Sequence, residues 1–247
     1  MSSRTAIVTG GASGIGAAIA SRLAADGNMV AVFDLDGEAA ATMAAELERA
    51  GGKSVGLAVD VTDRAAIDAG IDEVRSRLSR PTILVTSAGL SLESNFLDVT
   101  AEMWNKSLAV NLTGTFDCCQ AVLPDMIEER WGRIVTISSS SVHSGSAWLA
   151  SYVAAKSGVV GLTKSLALEF ARHGITVNTV PPGFIDTPML QQAVERGFFD
   201  VESQTERTPV GRIGRPEDIA SACAYLVSEE AGYITGQIIG VNGGRNT

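Results

Sequence analysis

The stretch "SYVAAKSG" (151–158) sets a tyrosine and a lysine four positions apart in an alanine-rich run. On a helix, residues i and i+4 lie one turn apart on one face, so the Tyr152 hydroxyl and the Lys156 ammonium can share a site. A positive charge held there favours the phenolate, and is expected to lower the tyrosine pKa from its ordinary value near ~10. Such a tyrosine gives or takes a proton near neutral pH. The same spacing also fits a packed tyrosine beside a solvated lysine, so other residues must supply the rest of the chemistry.

A second candidate is "TGGASGIG", Thr9 to Gly16, between an apolar run and a helical stretch. Gly10, Gly14 and Gly16 allow a tight turn and close approach of backbone to a ligand. The helix that starts among Ser13, Gly14, Ile15 and Gly16 turns its N-terminus toward a pyrophosphate. The spacing is GxxxGxG rather than GxGxxG. Eighteen residues on, Asp34 ends "VAVFD"; a carboxylate there accepts hydrogen bonds from an adenosine ribose and repels a 2′-phosphate, which favours NAD over NADP. Asp36 competes for that assignment, and a capping or solvated aspartate remains open. Asp60, with Val61 beside it in "AVDVTD", reads either as an adenine contact or as a turn former.

The elements that must position these residues alternate along the chain. Short β-branched runs at 5–9, 29–33, 53–59, 82–86, 132–138, 175–180 and 237–241 fit strands buried on both faces. Between them, helices are predicted near 14–26, 38–50, 63–79, 101–122, 149–172 and 216–228, with Gly27, Gly51 and Gly174 as stops. This order implies an α/β fold, a single doubly wound Rossmann-type parallel sheet of about seven strands with helices on both faces. No linker or repeat breaks the pattern, so one domain spans 1–247. Residues 183–212 mix apolar, Gly and Pro residues without a period and are read as a substrate loop or lid.

Composition narrows the function. With 28 acidic against 19 basic residues the net charge is −9, which disfavours nucleic acid as a partner. The opening "MSSRTAIVTGG" lacks the apolar length of a signal peptide and no run reaches membrane-spanning length, so a cytoplasmic protein without a membrane partner is expected. Cys118, Cys119 and Cys223 have no metal-like spacing and are odd in number, so reduced thiols are expected, with neither a disulfide framework nor a metal site.

Taken together, the glycine turn, the YxxxK pair and the strand order resemble the short-chain dehydrogenase/reductase family over essentially the full length. "TSAG" (86–89) stands where the family usually has NNAG, "VNLTG" (110–114) carries its asparagine as Asn111, and "ISSSS" (137–141) its serine. Counting back 13 residues from Tyr152 gives Ser139, although Ser138 and Ser140 are neighbouring alternatives. "VPPGFIDTP" (180–188) and "YITGQIIGVNGG" (233–244) match further family stretches. The resemblance implies hydride transfer between a nicotinamide and a carbonyl or secondary alcohol. Tyr152 would exchange the proton and Lys156 would depress its pKa and bind the nicotinamide ribose. Ser139 would bond the substrate oxygen, and Asn111 would hold a water linking Lys156 to solvent, or merely bend its helix. Ala88, Gly89, Val110, Pro182, Gly183, Ile185 and Thr187 match cofactor-lining positions. Thr86 and Ser87 depart from the usual asparagines, and Pro181 stands where a small residue is common.

The expected substrate wall is mostly apolar or small: "LSLES" (90–94), "SVHSGSAW" (141–148), and Met189, Leu190, Phe198 and Phe199. His143 reads as an orienting group or as an ordinary loop histidine. The resemblance extends to 3-oxoacyl-thioester reductases and to NAD-dependent dehydrogenases of cyclic alcohols or hydroxyacyl-CoA. An acidic surface and Asp34 favour an NAD(H)-dependent enzyme for a small, cyclic or CoA-linked hydroxy/oxo compound. A 3-oxoacyl-[acyl-carrier-protein] reductase is the alternative. A non-catalytic NAD-binding sensor and a scaffold are the readings outside enzymology. The family resemblance also implies a homotetramer or homodimer through the long helices at 101–122 and 149–172 and the C-terminal strand.

Overall fold

Six of the seven β-branched runs form strands: β1 Thr5–Thr9, β2 Met29–Asp34, β3 Ser54–Ala58, β4 Pro81–Thr86, β5 Gly132–Ile137 and β6 Ile175–Val180. In the computed structural model, which describes residues 3–246, they pair in parallel in the order β3-β2-β1-β4-β5-β6. Residues 1, 2 and 247, the ends of the expected 1–247 domain, lie outside the described residues. Alternate side chains of each strand enter different cores. Val8, Val32, Val85 and Val135 pack under α1 (Gly14–Ala25), α2 (Gly37–Arg49) and α10 (Pro216–Leu226). Ile7, Phe33, Leu84 and Ile134 pack under α3 (Arg64–Arg77), α5 (Gly114–Glu129) and α7 (Ala150–Phe170). Burial on both faces is why the strands read as continuous apolar runs.

The seventh strand expected at 237–241 does not form; only isolated bridges join Thr179 to Ile238 and Pro182 to Val241. The cause lies in the segment it would pair with, β6 and its continuation to Gly183. Thr179 N–H donates to Gln237, Ile239 to Thr179, Val241 to Pro181 and Gly183 to Val241, at 2.9–3.2 Å. The rung missing from that parallel series belongs to Pro181, which has no N–H.

The helix expected at 101–122 is also interrupted. α4 (Ala101–Leu108) passes through one π turn, Ala109–Thr113, into α5. Asn111 Nδ2 donates to the Ser107 carbonyl at 3.0 Å. That carbonyl is the acceptor a regular helix reserves for the Asn111 N–H, so the helix widens there. The irregular 183–212 segment holds two short helices, α8 (Pro188–Glu195) and α9 (Val201–Glu206), started by the caps Thr187 and Asp200. A four-residue turn of helix, α6, covers Ser141–Ser144. No helix among the described residues is long and apolar enough to cross a membrane.

Because all six strands run the same way, their carboxyl ends meet at one edge. There the sheet order reverses between β1 and β4, which opens a crevice.

Candidate active site

The crevice begins at the turn from β1 into α1. Gly10 sits at φ +60°, and a Cβ on it would come within 2.8 Å of the Ala88 Cα after β4. A Cβ on Gly16 would fall on the Gly10 carbonyl oxygen. Ser13 is exposed and gives α1 no side-chain cap, and no acidic residue sits in that first turn. The α1 N–H groups are thus left for an external acceptor, whereas α2 and α3 are capped by Asp36 and Asp63. Ile15 is half-buried against the core.

Asp34 is half-buried at the end of β2, where one oxygen accepts the Ala12 N–H of the glycine turn at 3.1 Å and the other the Asp36 N–H at 3.2 Å. Asp36 is engaged as the cap of α2, accepting from Glu38 and Ala39 N–H at 3.0 Å each. The two aspartates that compete in sequence therefore have distinct jobs in space. Asp60 is exposed and accepts both the Thr62 N–H and its hydroxyl at 2.8 Å, the turn-forming role. Val61 is buried, its carbonyl against Gly114.

After β4 the departures from the family pattern have a visible outcome. The Thr86 hydroxyl is buried without a hydrogen-bond partner, an arrangement that costs on the order of 1–3 kcal/mol. The N–H groups of Ser87 and Ala88 instead both donate to the Thr9 hydroxyl at 3.1 Å. Sequence reading missed this brace, since nothing local marks Thr9 as an acceptor. A Cβ on Gly89 would stand 2.9 Å from Asn111 Oδ1 and 3.5 Å from Lys156 Nζ. Gly89, Asn111 and Lys156 therefore converge. Asn111 is fully buried and also exchanges hydrogen bonds with the Leu90 backbone at 3.2 and 3.0 Å. Val110 packs half-buried beside it.

The three adjacent serines separate after β5. Ser138 is buried and accepts from the Thr179 hydroxyl at 2.9 Å, a bond within the sheet edge. Ser140 uses its backbone N–H to reach the Pro182 carbonyl at 2.9 Å. Ser139 Oγ accepts from the Ser141 N–H and hydroxyl at 3.2 and 2.9 Å, which leaves its own proton to donate. Of the three, Ser139 is the serine that acts on the Tyr152 phenol, lowering its pKa.

Tyr152 and Lys156 lie one turn apart on α7, with Nζ 5.8 Å from the phenol ring centre. Lys156 is 4% exposed and donates to the Ile137 carbonyl at 2.8 Å. Burial lowers its pKa to about 8. Burial also raises the Tyr152 pKa, and the hydrogen bond from Ser139 pulls it back only in part. The lowered tyrosine pKa expected from the lysine is thus not what the protein alone produces. Lys156 is withdrawn from water and Tyr152 is half-buried, and desolvation disfavours phenolate and ammonium alike.

The far wall is the 180–188 turn. Pro182 is buried, Gly183 is tied to Val241, and Ile185 is buried against Gly214. Thr187 caps α8 and lies across the crevice from Gly14, whose Cβ would be 3.3 Å from Thr187 Cγ2. An open cleft of about 800 Å³ follows, lined by Trp148, Val194, Phe198, Phe199, Val201 and Gln204 among others. The Trp148 and Phe198 ring centres lie 6.4 Å apart with the rings tilted by 56°, and Phe199 meets Phe184 edge-on at 4.6 Å. Trp148 holds φ +62°, unusual for a bulky residue, and its indole N–H donates to Asn95 at 3.0 Å. His143 is exposed on α6.

The three cysteines are buried and unpaired, with Cys118 and Cys223 pushed up to about 12 by burial, so they are inert thiols. No group of metal ligands occurs among the described residues.

A glycine cradle that side chains would fill, an uncapped helix N-terminus and a carboxylate at the β2 end together fit a dinucleotide. A family described as Enoyl-(Acyl carrier protein) reductase matches residues 10–246. The chain is 38% identical to the (2S)-[(R)-hydroxy(phenyl)methyl]succinyl-CoA dehydrogenase subunit BbsD of Thauera aromatica, covering 98% of this chain and 96% of that one. It is 40% identical to the 3-oxoacyl-[acyl-carrier-protein] reductase FabG of Escherichia coli over the same shares. The solved structure of an actinorhodin polyketide ketoreductase variant with NADPH superposes with a TM-score of 0.95 at 37% identity, covering 99% of this chain and 98% of that one. The chain belongs to the short-chain dehydrogenase/reductase family, as an oxidoreductase acting on a CH–OH group with a nicotinamide cofactor.

Proposed function

We propose that the protein interconverts a secondary alcohol and a ketone with NAD(H), on a small, cyclic or CoA-linked hydroxy/oxo compound. The observation that carries this reading is a buried Lys156 that lies 5.8 Å from the Tyr152 ring centre and is tied to Ile137, two residues before a Ser139 whose hydroxyl proton is left to donate. Gly10, Ser13, Gly14, Ile15 and Gly16 would cradle the pyrophosphate, Asp34 the adenosine ribose, and Asp60 with Val61 the adenine side. Ala88, Gly89 and Val110 would line the middle, with Pro182, Gly183, Ile185 and Thr187 at the nicotinamide. When bound, the cofactor supplies or accepts the hydride.

The rest is the work of the chain's own groups. Tyr152, its pKa raised by burial, holds its proton at neutral pH and is set to give it to a carbonyl oxygen as charge develops there. Ser139 donates a second hydrogen bond to that oxygen. Lys156, with a pKa about 8, is mostly charged at pH 7 and stabilises the phenolate that proton transfer leaves behind. Asn111 holds the backbone around Leu90 and Gly89 that faces the ammonium, beside its proposed part in returning protons from solvent.

The reading of NAD over NADP is supported by the Asp34 carboxylate, half-buried at the end of β2 beside the glycine turn, which would repel a 2′-phosphate there. The similarity to FabG supports the carrier-linked alternative. Against it, the 183–212 segment carries Asp186, Glu195, Asp200, Glu202 and Glu206 against Arg196, Arg207 and Arg212, a net negative stretch that disfavours an acidic carrier.

The test is oxidation of NADH and NADPH against a panel of cyclic ketones and of 3-oxoacyl-CoA and 3-oxoacyl-carrier thioesters, with Tyr152→Phe as control. Turnover of the free or CoA-linked compounds, lost at least a hundredfold in the variant while cofactor binding is kept, is expected. Preference for the carrier thioester selects the alternative, and binding without turnover of any substrate selects the sensor.

A further inference from the structure

Residues 241–246, legible in sequence only as the end of a strand, touch three parts of the site in turn. Val241 is hydrogen-bonded to Pro181 and Gly183 of the nicotinamide-side turn at 3.2 and 3.0 Å. The Gly243 carbonyl accepts the Val210 N–H at 3.2 Å, at the base of the α8–α9 segment. Arg245 Nη1 then donates to the Gln204 carbonyl of α9 at 3.0 Å and reaches the Thr208 hydroxyl at 3.5 Å. Its guanidinium lies over the Phe184 ring at 4.6 Å, the ring that meets Phe199 edge-on. The next residue turns the other way: Asn246 Nδ2 donates to the Ser140 carbonyl at 3.1 Å.

We propose that Arg245 and Asn246 are positioning residues that latch the α8–α9 lid to the Ser139–Ser140 turn, so that closing the lid and aiming the Ser139 hydroxyl are one event. The inference rests on reading Ser139 as the substrate donor and 183–212 as the substrate cover. α9 has six residues, too few to hold a helix by its own hydrogen bonds; past its end the Arg207 and Thr208 N–H groups close on the Ser203 and Thr205 carbonyls, and the Thr208 hydroxyl donates to the Gln204 carbonyl at 2.7 Å. Arg245 adds a second donor to the Gln204 carbonyl and stacks on Phe184, which packs against Phe199 just before α9. Consecutive Cα atoms are fixed about 3.8 Å apart, so a lid movement that displaces Arg245 also pulls on Asn246 and on the carbonyl that follows the catalytic serine.

The test uses Arg245→Ala, Arg245→Lys, Asn246→Ala and the double alanine variant. Amide hydrogen exchange of the cofactor-free protein is expected to speed up about tenfold across 188–206 in Arg245→Ala, with the strands unchanged and with substantial recovery in Arg245→Lys. Asn246→Ala is expected to lower kcat about tenfold while the cofactor dissociation constant, read by fluorescence titration, moves less than twofold. The double variant should lose little more kcat/KM than the worse single one, as expected for two halves of one latch. Unchanged exchange at 188–206 in Arg245→Ala, or fully additive losses, overturns the latch. Should Arg245→Ala not fold, Arg245→Gln carries the same exchange measurement, with faster exchange across 188–206 required. The exchange result stands without turnover, so failure of the proposed reaction and failure of the latch are told apart.

Discussion

Lys156 Nζ donates to the carbonyl of Ile137, the last residue of β5, at 2.8 Å. That bond pins the ammonium to the sheet edge two residues before Ser139, so α7 and the serine turn are held in one frame.

Holding the charge there has a cost that pH reveals. The Lys156 pKa falls from 10.5 unfolded to about 8 in the folded protein. Between these values the unfolded chain binds the extra proton, so stability rises as pH rises from 8 to 10.5; below 8 the full burial penalty is present. Lys156→Met removes that penalty. Its stability advantage over the parent is expected to be greatest below pH 8 and to shrink by about 3 kcal/mol by pH 10.5, with turnover lost. Denaturant melts across that range check this, and an advantage independent of pH would contradict the assignment.

Asp34 is the expected selector of cofactor. Asp34→Asn keeps an acceptor for the Ala12 N–H and removes the charge. The NAD over NADP ratio in kcat/KM is expected to fall at least tenfold, mainly by improved NADP binding. Steady-state kinetics with both cofactors decide it, and an unchanged ratio removes Asp34 from the selection.

The proposed homotetramer or homodimer has apolar surface available to it. Phe116 on α5 and Leu168 on α7 are 41% and 85% exposed, with Phe96 and Leu97 nearby in sequence to α4 at 73% and 94%. Sedimentation at micromolar concentration is expected to show an assembled species that Leu168→Glu with Phe116→Glu dissociates. Monomer alone in the parent protein refutes the assembly.

Much of this molecule follows from local pattern. Strand runs buried on both faces, helices between them and a glycine turn after the first strand are set by nearest neighbours, so six strands and the glycine turn were legible in the sequence. The Tyr152–Lys156 pair was legible too, because helical spacing alone puts both on one face.

Contacts between distant segments were decided only in the folded chain. How Ser138, Ser139 and Ser140 differ depends on distant partners: Thr179 engages the Ser138 hydroxyl, and Pro182 holds the Ser140 backbone. Asp34 and Asp36 are separated by a helix start and a glycine turn. The seventh strand failed for want of one N–H at Pro181, and the helix at Asn111 widened because a side chain took a backbone acceptor. The direction of the Tyr152 shift depends on burial, which no spacing of residues reveals. Sequence fixes periodicity and chemistry along the chain; desolvation and long-range hydrogen bonding arise only when segments a hundred residues apart, such as Ser140 and Asn246, come into contact.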